Sequence, residues 1–186
     1  MINANDVKSC SALDAANFLI FLMKGTCDDL SNMKLNKLLY YAQGHYLKMY
    51  GVPLFKEKIY AWTHGPLIKE VYGMYKDYGD HAIENCDDSK ALALDDNIKS
   101  FLLDIARVYG RFTASALRNM THKPHSPWDQ TAEGHEIPLS VIEMYFESCE
   151  QPIGFVTIDF DENSFIGYHD DSGVFVLPED WRDEEI

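Results

Sequence analysis

Long apolar runs are missing from this sequence. The longest, Phe18 to Met23, falls far short of the roughly 20 residues that a membrane-spanning helix requires, and the opening MINANDVKSC lacks the charged-then-apolar layout of a secretory signal. The expectation is a soluble, cytoplasmic protein. Cysteine is sparse and scattered: Cys10, Cys27, Cys86 and Cys149 include no C-x-x-C pair, which removes the usual metal clip and redox motif and leaves reduced thiols as the simplest reading.

Catalytic fingerprints are absent as well. There is no G-x-S-x-G elbow, no cysteine with a local histidine signature, and neither G-x-x-x-x-G-K-[ST] nor G-x-G-x-x-G, so neither a nucleophile nor a nucleotide site is indicated. No catalytic residue and no cofactor are expected. The nearest approach to a zinc set is His122, His125 and His135, separated by Pro124 and Pro127 on an irregular stretch; they read as loop histidines, and a metal-dependent hydrolase built on them is the enzymatic alternative. Asp159, Asp161, Asn163, Ile166 and Asp170 fall at EF-hand positions, but Ser164 stands where glycine is required and Asp170 where a bidentate Glu belongs. The flanks alternate like strands, so a turn is the better reading and no metal is expected.

Positive charge is nearly absent from the last third. Residues 1–128 hold 15 Lys and Arg against 14 Asp and Glu, whereas residues 129–186 hold one arginine against 16 acids. The whole net charge of -14 therefore belongs to the C-terminal part. Such a segment repels nucleic acid and anionic membrane and attracts a basic surface, although an acidic surface also serves solubility alone. Neither a nucleic-acid nor a membrane partner is expected.

What is present is a chain of 186 residues, 46% hydrophobic and 13% aromatic, enough to bury a sizeable core. Helical spacing dominates the first 150 residues. Ser11 caps a helix through Lys24, with Gly25 to end it, and a second helix runs from about Ser31 to Tyr50, with Leu35, Leu38, Leu39, Ala42, Tyr46 and Met49 inward and Gly51 as terminator. Lys34, Lys37, Tyr41, His45 and Lys48 share another face and read as a basic stripe without apolar support, which makes Tyr41, His45 and Lys48 candidate partner contacts. Pro66 fits the first turn of a third helix, Leu67 to Tyr78, with Val71, Met74 and Tyr75 inward. After a polar connection, DHAIENCDDSKALAL, further helices are expected over Asp95 to Tyr109, from Thr113 over ASALRNMTH, and from Pro138, with Ile142 and Phe146 inward. From Gly154 the period turns alternating: GFVTIDF, SFIGY and GVFVLP read as strands. The expected fold is mainly α, a compact multi-helix domain over 1–152 followed by a small, acidic, antiparallel β-meander and tail over 153–186.

MKLNKLLYYAQGHYLKMYGVPLFKEKIYAWTHGPLIKEVYGMYKDYG, Met33 to Gly79, resembles the signature half of the Panacea domain, the SocA-like antitoxin family. A K-L-x-K-L-L-Y-Y helix, G-x-P-L-F, A-W-x-x-G-P and V-Y-x-x-[YF]-K-x-Y-G follow one another as in that family. Farther on, Met120, Thr121, His122 and Trp128 stand for its L-T-H and W, with Met for Leu. The resemblance spans roughly residues 10 to 150. It implies a mainly helical antitoxin of a two-gene pair that binds its toxin directly. Toxins of the family belong to unrelated classes, including relatives of alarmone synthetases that modify tRNA, and one member resembles a proteolytic adaptor that delivers its toxin to a AAA+ protease. Leu38, Tyr40, Trp62, Gly65, Pro66, Tyr72, His122 and Trp128 are then scaffold residues, with Gly65 and Pro66 setting the entry to the third helix and Trp62 beneath it. In the acidic segment, Phe165, Tyr168 and Trp181 are the candidate apolar anchors for the toxin, while Phe175 and Val176 are expected to pack the meander.

Overall fold

The structure is a computed structural model that describes residues 7–25 and 30–149, together with the backbone of residues 168–169 and 175–176. The chain divides into two compact units, 1–154 and 155–186.

In the first unit, α1 (Ala12–Met23) starts where Ser11 Oγ accepts from the Asp14 amide, satisfying one of the amide groups that a helix start leaves bare. Its apolar face, including Phe18, Leu19 and Ile20, is buried. α2 (Asn32–Tyr50) is capped by Ser31 and closed by Gly51 in the left-handed region at φ 68°, whose amide returns to the Leu47 carbonyl, the glycine stop that side chains disfavour. Next comes a hairpin of β1 (Ile59–Trp62) and β2 (Gly65–Ile68), with Trp62 opposite Gly65 and Ile59 opposite Ile68. α3 (Lys69–Tyr75) runs on into a 3₁₀ turn over Lys76–Tyr78. α4 (Asp88–Ala93), α5 (Asp96–Tyr109), α6 (Ala114–Thr121) and α7 (Leu139–Ser148) complete it, the first three capped by Asp87, Asp95 and Thr113.

The helices α1, α3, α5, α6 and α7 and the strand β2 all pack on α2. A helix covered on every side must either be apolar throughout or find partners for its polar residues. α2 takes the second course, and its buried polar side chains hold irregular backbone. Gln43 Oε1 accepts from the Leu54 and Phe55 amides while Nε2 donates to the Phe55 carbonyl. Asn36 Oδ1 accepts from the Ile68 amide, and Lys37 Nζ donates to the Pro66 carbonyl at 2.8 Å. In effect, Asn36 and Lys37 stand in for a neighbouring strand along the free edge of β2. The other edge of the hairpin is paired by residues 134–137, through Ala61 with Gly134 and His135 and through Ile59 with Ile137.

α2 and α7 cross at Gly44. A Cβ there would lie 2.2 Å from the buried Phe146 ring, so only glycine admits this approach. The second unit contains an antiparallel pair, β3 (Tyr168–His169) with β4 (Phe175–Val176).

The mainly helical reading and most helix bounds hold. Four details differ. Pro66 lies in β2, not in a helix, and the third helix starts at Lys69; opposite Ala61, Pro66 occupies a position where its missing amide breaks no hairpin bond. The polar connection contains α4, organised by Asn17, whose side chain donates to the Asp87 carbonyl and accepts from its amide. Met49 and Met74 point outward, Met74 being 60% exposed. A β-hairpin lies mid-chain, and it replaces part of the expected third helix. At the C-terminal end, β4 falls within GVFVLP and β3 takes the last residue of SFIGY, Tyr168, with His169 of the expected turn, while GFVTIDF and the EF-hand-like aspartates lie outside the described residues.

Candidate functional site

The motif residues, far apart in sequence, meet on one side of α2. Lys37 enters from α2 and reaches β2 through its bond to Pro66. Gly65, at φ 96°, lets Lys37 and Thr121 of α6 close in: a Cβ there would lie 2.8 Å from both Lys37 Cε and Thr121 Oγ1. Thr121 donates to the Arg118 carbonyl and touches Nδ1 of His122. The His122 ring lies on Trp128 at a centroid distance of 3.6 Å, and Trp128 Nε1 donates to the Trp62 carbonyl at 2.7 Å. Trp62 in turn packs on Tyr72 of α3 at 5.5 Å. A chain of contacts thus joins α2, the hairpin, α3, α6 and the segment after it.

Lys37 is 2% exposed. Burial, with the Arg118 charge as the lesser cause, pushes its ammonium down to a pKa of about 7, since a low-dielectric site disfavours the charged form. Among the described residues its acceptor is the neutral Pro66 carbonyl, which offsets only part of the cost of desolvation.

On another side of α2 lies a cleft of about 210 Å³ lined by Tyr41, His45, Tyr109, Met120, Tyr145 and Phe146, among others. His45 Nε2 meets Tyr109 Oη at 2.6 Å, and Tyr41 stacks on Tyr109 at 4.2 Å with rings nearly parallel. Tyr40 is wedged edge-on against Phe146 at 5.6 Å. Burial, helped by Lys48, brings His45 down to about 4, and burial raises Tyr41 and Tyr109 far above the ordinary phenol range. The His45, Tyr41 and Tyr109 side chains are therefore uncharged near pH 7, and Lys123 is the lysine that lines the cleft with them.

The expected basic stripe is not a surface. Tyr41 and His45 are 6% and 4% exposed, and Lys34 and Lys37 are buried with them; the residues share a face, but α5, α6, α7 and β2 cover it. Lys48 is half-buried, its Nζ donating to the Cys149 carbonyl. Leu38 is fully buried core. Phe165 and Trp181 lie outside the described residues, as does the side chain of Tyr168. Among the described residues no three His, Cys, Asp or Glu side chains gather as a metal set; His125 and His135 are exposed, and His122 turns Nδ1 to the Arg118 carbonyl. No described helix is long and apolar enough to cross a membrane.

Sequence reasoning passed over Asn36, Gln43, Tyr109 and Arg118. A signal existed for the first two: they sit seven residues apart, on one face of a helix otherwise apolar at those heights, where a polar residue implies a specific partner. Nothing in the sequence pointed to Tyr109 or Arg118 as neighbours of α2.

Residues 35–129 match the family described as Antitoxin SocA-like, Panacea domain. A similar protein is antitoxin SocA of Caulobacter vibrioides (strain NA1000 / CB15N), 30% identical over 139 residues, a stretch that covers 69% of this chain and 74% of that one. No solved structure matches. The matched stretch begins in α2 and ends at Trp128 and Asp129, enclosing the whole Lys37, Gly65, Thr121, His122 and Trp128 constellation, and the chain belongs to the SocA-like antitoxin family.

Proposed function

We propose that this protein is the antitoxin of a two-gene pair, binding a protein toxin in the cytoplasm and blocking it without catalysing a reaction. Family membership supports the role. The observation that carries the mechanism is the charge asymmetry: one arginine against 16 acids after residue 128. A toxin that acts on tRNA or another polyanion presents a basic groove, and an acidic segment lying in it excludes the substrate and speeds association at low salt. Phe165, Tyr168 and Trp181, interleaved with the acids, would supply desolvated anchors. The helical unit, rigidified around α2, is the platform. Tyr41 and His45 line the cleft, so contact with them would come from a toxin side chain that inserts there, with Lys48 beside it.

The test is protection of cells expressing the toxin of the adjacent gene. A full-length variant with Asp159, Asp161, Glu162, Asp170, Asp171, Glu179 and Asp180 changed to the corresponding amides should lose protection while retaining its helical circular dichroism. Undiminished protection would overturn the acidic-plug mechanism. Steric blocking also predicts protection that persists in hosts lacking AAA+ proteases; dependence on one would favour an adaptor.

A further inference from the structure

The cleft beside α2 has a floor and a rim. Tyr41, His45, Tyr109 and Phe146 are each at most 6% exposed and form the floor, whereas Met120 and Tyr145 are half-buried and Lys123 is exposed. Because exposed and buried side chains line one space, the space opens to solvent. The floor is a set of packed rings, with Tyr41 stacked on Tyr109 at 4.2 Å and Phe146 set edge to face against Tyr41 and His45. Its volume is about 210 Å³; an apolar cavity of about 150 Å³ takes a benzene ring, so this one has room for a single ring. Among the described residues no acid lines it, and Lys123 supplies a positive charge at the mouth. Lys48 stands close enough to His45 to lower its basicity. Neither lysine has an ion pair among the described residues.

Taking the antitoxin reading as its basis, we propose that the cleft seats one Phe or Tyr side chain of the toxin, with an acidic residue of the toxin beside that ring facing Lys123. Anchors that fill pockets at interfaces are most often aromatic residues or arginine. Arginine is drawn to aromatic faces, but here it would meet the like charge of Lys123 and Lys48. An uncharged ring meets no such penalty, gains edge and face contacts with the floor, and leaves the rim ammonium for a carboxylate at the edge of the contact. The ring supplies affinity and the rim charge supplies selection among partners.

The test uses the full chain, deuterated except for ¹³C-methyl groups on methionine, bound to protonated toxin. The Met120 methyl, identified by its loss in Met120→Leu, should show nuclear Overhauser contacts to aromatic protons of the toxin. Met120→Trp fills the cleft from its rim and should weaken the complex by about thirtyfold or more. Lys123→Glu should weaken it by about tenfold and Lys123→Arg should leave it near wild type, with circular dichroism confirming that each variant folds. Wild-type affinity in Met120→Trp or in Lys123→Glu would overturn the proposal, and so would contacts from Met120 to aliphatic toxin protons alone. The same aromatic contacts from a protonated copy of this chain, without toxin, would seat a second copy in the cleft and overturn it too. If the wild-type chain forms no complex, the antitoxin reading fails separately. A Met120 shift on adding 4-hydroxyphenylacetate would then still support a site for a ring with an acid beside it, and no shift would end it.

Discussion

Replacing Lys37 with methionine isolates the energetics of the polar centre. In the unfolded chain this lysine holds its proton to about pH 10.5, and in the folded chain it releases it near 7. Between those values the unfolded state binds more protons, so folding stability rises with pH across the window. Linkage gives a penalty of about 4 kcal/mol at pH 7, falling to about 2 kcal/mol at pH 9. Lys37→Met removes this penalty but also the bond to the Pro66 carbonyl, a loss of about 1–3 kcal/mol. The variant should therefore be the more stable protein at pH 7, and its advantage should shrink by about 2 kcal/mol by pH 9. Urea unfolding of both proteins at pH 7, 8 and 9 measures this, and the comparison cancels the other titrating groups. A stability difference independent of pH would show that Lys37 is an ordinary charged lysine and that its burial is misjudged.

The second side of α2 makes a complementary prediction at acid pH: the unfolded chain takes up the His45 proton near 6.5 and the folded chain only near 4, so about 3 kcal/mol of stability is lost as pH falls through that range. His45→Phe should flatten this part of the profile in thermal melts. Gly44→Ala should destabilise the fold despite the better helix propensity of alanine, by about 1–3 kcal/mol, because its Cβ would strike Phe146; pairing it with Phe146→Leu should restore much of the loss in a double-mutant cycle. Changing Gln43 to leucine leaves two buried amides and one carbonyl without their partners, and chemical denaturation should show a loss of about 3 kcal/mol or more.

Helix caps and stops carried most of the legible information. Ser11, Ser31, Asp95, Thr113 and Gly51 each act where their chemistry places them, because capping depends on a few adjacent residues. What escaped was non-local. Whether Lys37 faces water or a strand edge is decided by the hairpin packed against it, and nothing within the spacing of α2 encodes that hairpin. GPLI could be read as a helix start because Pro66 suits either place; the pairing of Ile59 with Ile68 settles it. The recurrent motif residues were visible one by one, but not their convergence on Lys37. Tyr41 and His45 illustrate the same limit: a run of tyrosine, histidine and lysine is amphipathic on a surface helix and saturated with partners on a central one.

The central claim is direct neutralisation of a toxin, and the decisive measurement is co-purification of the full chain with the product of the adjacent gene, at low and at high salt. A stoichiometric complex that forms at low salt, weakens at high salt and silences a toxic neighbour is the predicted result. A harmless neighbour that forms no complex at either salt concentration would contradict it.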